Sequence, residues 1–245
     1  MATYDKAELG YTVRSDLAAA HHKAWTRLGR PGTWLDAATR IAIAAEVRRA
    51  QSCAFCATIK SAVSPYAVSG THDGNDELPA AWIDVVHRIV ADPGRLTKGW
   101  FARTVGAAIS EPEYVELVAV VAQVTAIDTF ARAIGAQPWP LPNPENGSPS
   151  RYSPERAEQR TAWVRTLAWD DHGANEADFF DGPTGNIRTA LTLVPDEARS
   201  FWDIAFNQYL PIPAMRDWDN EYRAITHVQI ELLAGRVSAI NQCTY

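Results

Sequence analysis

Apolar residues recur along the chain at helical rather than alternating spacing, and they mark out a series of helices. Residues 37–50 (AATRIAIAAEVRRA) place Ile41, Ala44, Ala45 and Arg48 at helical intervals, with Asp36 positioned to cap the N-terminus. Residues 78–90 carry Trp82, Val85, Val86 and Ile89 on one face, and Pro93-Gly94 stops the run. Residues 113–134 are apolar on most sides, which predicts a buried central helix ended by Gly135 at the C′ position. Residues 186–193, 196–209 and 224–240 read as further helices. No two period-2 runs are joined by hairpin chemistry, so the expected fold class is all-α, without a sheet.

Two stretches interrupt the helical pattern. Residues 136–154 (AQPWPLPNPENGSPSRYSP) concentrate Pro, Asn, Gly and Ser and cannot form a helix interior, so they are expected as a surface linker. They divide the chain near 145–150, giving expected helical units at 1–145 and 150–245. Residues 169–186 (WDDHGANEADFFDGPTGN) are acidic but lack calcium-loop spacing, and read as a solvated loop.

Composition narrows the possible functions. Hydrophobic residues make up 47% of the 245 residues, enough for a core. Lys and Arg number 23 against 29 Asp and Glu, for a net charge of −6, which argues against a nucleic-acid groove. The apolar stretches at 115–124 and 228–240 are too short or too interrupted by charge to suggest a membrane span. MATYDKAELG has neither the basic nor the apolar region of a signal peptide, so a cytoplasmic location is expected. Three cysteines are too few for a secreted disulfide framework, which fits a reducing compartment.

The sharpest local feature is Cys53-Ala54-Phe55-Cys56. Gln51-Ser52 can break the preceding helix and Ser52 can cap a new one starting at Cys53. Unpaired N–H groups would then favour a Cys53 thiolate. Such thiols ionise below the ordinary value of about 8.5. A thiolate attacks a peroxide or disulfide, and the second Cys resolves the product. Two other readings stand beside this one: a pair of small buried hydrophobes, or half of a zinc site. Zinc needs two more ligands, and the chain has no second Cys pair and no His-x₃–₅-His. No dinucleotide fingerprint or phosphate loop is present, so neither a cofactor nor a metal is expected.

Elsewhere, His87 and Glu116 are the best donors for a proton relay to the cysteines. The rival for Glu116 is a structural pair with Arg88 or Arg103. His21, His22 and His72 lie beside expected loops and read as surface residues, while His172 and His227 are candidates to line a second site.

Internal similarity adds to this picture. Glu231-Leu232-Leu233-Ala234 echoes Glu116-Leu117-Val118-Ala119, and Cys243-Thr244-Tyr245 lies as far beyond the first as Asp128-Thr129-Phe130 lies beyond the second. Together with Cys53–Cys56, the YVELVAVVAQVTAIDTFARAIG stretch and the Pro-rich linker, these segments resemble the alkylhydroperoxidase D-like, or carboxymuconolactone decarboxylase-like, family. Active members carry a Glu on an apolar helix, Cys-x-x-Cys about a dozen residues later, and a His four positions beyond. The resemblance implies a helical bundle that usually oligomerises. It also implies an oxidoreductase that turns over hydroperoxides or disulfides, with a thiol or dithiol as reductant. A lyase of the decarboxylase branch and a non-catalytic scaffold are the alternatives.

The motif is divided between the units. Glu231 and Cys243 match the relay Glu and first Cys, and the sequence ends at Tyr245, one residue before the second sulfur. Cys53 and Cys56 are both present, but Ile41 and Lys60 occupy the Glu and His positions. The middle helix keeps Glu116 but has Asp128 and Ala131 in place of cysteines. Some relatives carry selenocysteine at the second position, so the resemblance implies that translation continues through UGA after Tyr245 to a selenocysteine and a His. Otherwise Tyr245 is the true terminus of an inactive unit.

Overall fold

Asp36 accepts the backbone N–H of Thr39 at 2.8 Å and starts a helix over Ala37–Ala50, where the apolar pattern places one. The computed structural model describes residues 3–241 and residue 243. In chain order its helices are α1 (Lys6–Leu9), α2 (Ser15–Leu28), α3 (Ala37–Ala50), α4 (Ala54–Ser61), α5 (Ala80–Ala91) and α6 (Lys98–Thr104). They continue with α7 (Glu111–Ala133), α8 (Asn186–Thr189), α9 (Pro195–Gln208), α10 (Ile212–Met215) and α11 (His227–Ile240). The protein is mostly helical, as expected. A two-residue antiparallel pair, β1 (Glu158–Gln159) with β2 (Arg165–Thr166), is present although no sheet was expected. Pairs this short carry no period-2 signal.

The α7 helix forms the centre. Ser110 and Glu113 close a capping box at its start, and Gly135 (φ 74°) takes the left-handed position after its end. Its length and composition would allow it to cross a membrane, but 61% of the apolar window is buried within the molecule. Leu117, Val120, Val124 and Ile127 on α7 pack against α3, α5 and α9 in one hydrophobic cluster that runs from Ala24 to Ile204. Residues on both sides of the expected linker therefore share a core. The 136–154 segment has no helix or strand and is tied to it: Trp25 Nε1–H donates to the Pro140 carbonyl at 2.9 Å, and Trp139 is buried.

A charged network lies inside this core. Arg40 on α3 is 2% exposed and pairs with Glu116 on α7 and Glu197 on α9, both fully buried. Arg27 Nη2 reaches Glu197 at 2.6 Å, and Glu116 also accepts the Trp34 backbone N–H at 2.6 Å. Glu116 is thus a structural ion-pair partner, and its cation is Arg40, not Arg88 or Arg103. Gly32 is required beside it, because a Cβ there would stand 1.7 Å from Glu116 Oε1. Burial would raise the pKa of Glu197, but Arg40 and Arg27 bring it down to about 2. Glu116 is raised, by burial first and then by the nearby Glu197 charge.

The signs of these shifts are opposite. Glu197 takes up its proton near 4.3 when unfolded but only near 2 when folded, so its stabilisation is complete above the upper value and lost as pH falls through about 2. Glu116 protonates more readily when folded and offsets part of this loss. Removing Arg40 leaves two carboxylates in the core, Glu197 still paired with Arg27 and Glu116 without its cation. Arg40→Ala is expected to cost about 3–5 kcal/mol in urea unfolding at neutral pH. The deficit should narrow toward pH 3, where the carboxylates of the variant are neutral. A deficit independent of pH would contradict this account of the network.

Candidate active site

The α3 helix ends at Ala50, and the chain turns so that Cys53 becomes the N-cap of α4. Cys53 is therefore the cap itself and not a first-turn residue capped by Ser52. Its Sγ accepts the Cys56 backbone N–H at 3.5 Å and the Asp73 N–H at 3.4 Å. The 62–79 loop is drawn down onto α4, where Asp73 Oδ2 accepts the Ala54 N–H at 3.0 Å. Gly74 allows this approach, since a Cβ there would lie 2.7 Å from Ile83 Cδ1.

This loop delivers His72. Expected as a surface residue, its side chain is only 7% exposed. Its Nδ1 stands 3.4 Å from Cys56 Sγ and 3.8 Å from Cys53 Sγ, and its Nε2 lies 3.2 Å from Asp84 Oδ1. Asp84 also accepts Trp100 Nε1–H and Arg88 Nε–H, each at 2.8 Å. The α5 helix delivers His87, fully buried, with Nδ1 3.1 Å from Cys56 Sγ and Nε2 2.6 Å from Glu46 Oε1. Paired with a carboxylate, His87 carries its proton on Nε2 and turns the Nδ1 lone pair to Cys56. The two imidazole centroids are 4.3 Å apart.

The local fields separate the two thiols. Burial would raise Cys53, but the N–H groups of Asp73 and Cys56 and the His72 ring bring it below the ordinary thiol value. Burial pushes Cys56 up to about 12, and its neighbour Cys53 adds to the shift. The histidines are separated in the same way. Burial would lower His72, yet Asp84 and Cys53 hold it above its ordinary value. His87 is lowered, because burial outweighs the Glu46 contact and His72 adds its own repulsion. A carboxylate at about 2 for Asp84 keeps the His72 partner ionised.

A cavity of about 370 Å³ opens against both cysteines, lined also by Ala57, Lys60, Val90, Thr125 and Arg132. Thr125 Oγ1 is buried there with no hydrogen-bond partner among the described residues.

Of the residues expected from sequence, Cys53, Cys56 and His87 converge here, and Glu116 belongs to the core network instead. Glu231 on α11 accepts the Tyr209 O–H and lies 3.5 Å from His227 Nε2. Cys243 lies beyond the far end of that helix and lines a separate cavity with Phe101 and Trp163. The structure does not bring Glu231 and Cys243 together, and the expected continuation past Tyr245 falls outside the described residues. His21, expected at the surface, is buried against the Tyr4 hydroxyl at 2.7 Å. His172 stacks on Phe180 and His227 on Trp218. Glu46, His72 and Asp84 were not anticipated. Glu46 had a signal, a lone carboxylate between Ala45 and Val47 on an apolar helix.

Comparison with protein-family models, with curated proteins and with solved structures gives no match for this chain. Because Cys53 is shifted toward the thiolate and Cys56 away from it, iodoacetamide at neutral pH should alkylate Cys53 faster than Cys56 by roughly tenfold or more, resolved by peptide mass spectrometry. Faster labelling of Cys56 would contradict the assigned asymmetry.

Proposed function

We propose that the protein is a thiol-dependent oxidoreductase in which Cys53 attacks a hydroperoxide and Cys56 resolves the product. What carries this reading is the pair of neighbouring histidines whose Nδ1 atoms both meet the dithiol, one favoured as imidazolium and the other as neutral base. The resemblance to alkylhydroperoxidase D-like proteins supports the same chemistry, through a relay assembled from different positions. Glu46 and His87 replace the Glu and His that Ile41 and Lys60 displace from the sequence motif.

The Cys53 thiolate attacks the terminal peroxide oxygen and the O–O bond breaks. Cys53 becomes a sulfenic acid, and the departing alkoxide takes the His72 proton and leaves as an alcohol. His87 Nδ1 then removes the Cys56 proton. The Cys56 thiolate attacks the Cys53 sulfur, the S–O bond breaks, and the hydroxide leaves as water with the proton from His87. The peroxide has gained two electrons and the dithiol has become a disulfide. An external dithiol restores the reduced pair and the His72 proton. The Cys53 and Cys56 sulfurs lie within 4.8 Å of each other, close enough for small adjustments to close the bond.

The cavity suits a small organic hydroperoxide. Ala57 and Val90 offer apolar contact, Thr125 Oγ1 offers a hydrogen bond, and Lys60 and Arg132 favour an anionic substituent at the rim.

Cys56→Ser is expected to consume a single equivalent of cumene hydroperoxide and stop at a dimedone-reactive Cys53 sulfenic acid. Cys53→Ser should consume none. His87→Asn should slow disulfide closure by about 10²-fold while leaving sulfenic-acid formation unchanged. Peroxide turnover that survives Cys53→Ser would exclude this function, and carboxymuconolactone turnover in the double Ser variant would instead indicate the lyase chemistry.

A further inference from the structure

The same four side chains meet the requirements of a tetrahedral metal site. Cys53, Cys56, His72 and His87 offer donor atoms that all lie within 4.8 Å of one another, the one such group among the described residues. Zinc bound to thiolate sulfur at about 2.3 Å and imidazole nitrogen at about 2.0–2.1 Å places neighbouring S and N donors about 3.5 Å apart. Three of the four S···N separations here are 3.1, 3.4 and 3.8 Å, and the fourth, Cys53 to His87, lies within 4.8 Å. Both histidines turn Nδ1 toward the sulfurs and Nε2 toward a carboxylate, Glu46 for His87 and Asp84 for His72. That carboxylate–histidine arrangement orients imidazole ligands and raises their basicity in metal sites. The two backbone N–H groups on Cys53 Sγ leave its other lone pairs available.

Sequence spacing argued against this, because neither a second Cys pair nor a His-x₃–₅-His is present. The fold supplies the missing ligands from a loop and from α5, 19 residues after Cys53 and 31 after Cys56. Two thiolates balance the charge of a divalent ion, and an S₂N₂ tetrahedron selects zinc over harder cations.

We infer that the reduced protein binds one Zn²⁺ through Cys53, Cys56, His72 and His87. The site is independent of the peroxidase reading, since it requires the thiolates and not their turnover. Metal and disulfide exclude each other, because a disulfide removes both thiolate ligands. Zinc would therefore hold the dithiol out of redox chemistry until it leaves.

The test uses the full reduced chain titrated with Co²⁺, with Zn²⁺ as competitor. The expected result is uptake of one Co²⁺ with a thiolate-to-cobalt charge-transfer band and the strong visible bands of a tetrahedral ion, both displaced by Zn²⁺. Glu46→Gln and Asp84→Asn, which keep side-chain shape, should weaken binding about 10–100-fold. Protein oxidised to the Cys53–Cys56 disulfide should show neither band. Absence of uptake, or uptake without the charge-transfer band or insensitive to oxidation, would overturn the inference. Because the readout is spectroscopic, failure of peroxide turnover in the metal-free protein would leave this result unaffected.

Discussion

Glu46 is fully buried on α3, and the Nε2 of His87 lies 2.6 Å from its carboxylate. A carboxylate in a dry core is tolerated only with a partner, and this pairing fixes how α5 docks on α3. Six residues earlier on the same helix, Arg40 imposes the matching demand on the other side, where Glu116 and Glu197 bring in α7 and α9. Most of the packing can be understood as the answer to those two buried charges. The apolar side chains around them supply the area, and the charges supply the register.

One consequence is chemical. Docking α5 through Glu46 brings His87 against Cys56, and the 62–79 loop, anchored by Asp73 and Asp84, brings His72 against both sulfurs. Cys53 gains N–H donors as the cap of α4, while Cys56, one turn later, gains none of them. Burial raises Cys56 while these donors lower Cys53, so two identical thiols three residues apart are shifted in opposite directions. The proposed division of labour follows from this difference, as does the suitability of the tetrad for a soft divalent ion.

The long helices were legible because their information is local. The α3 helix and its Asp36 cap follow from periodicity and one side chain, and α7 follows from an uninterrupted apolar run ended by Gly135. The Cys-x-x-Cys pair was legible for the same reason. His72 was not, because it sits in a loop whose path is set by Asp73 contacting α4 and by Gly74 passing Ile83, both long-range contacts with no periodic trace. Glu116 misled for a related reason. A carboxylate on an apolar helix announces that a partner exists without saying which, and Arg40 lies 76 residues away. The similarity between the two segments does not extend to the environments of Glu116 and Glu231. Glu116 is fully buried against Arg40, whereas Glu231 is 39% exposed beside Tyr209.

The central claim is that His72 and His87 hold opposite proton states around one reduced dithiol. The direct measurement is imidazole ¹⁵N NMR of the reduced, chelator-treated protein across pH, with each ring assigned through a single His→Gln variant. The account predicts that His72 titrates above the ordinary histidine value of about 6.5. His87 should remain neutral through that range, with its proton on Nε2. Titration of both rings together, or of His87 above His72, would contradict it.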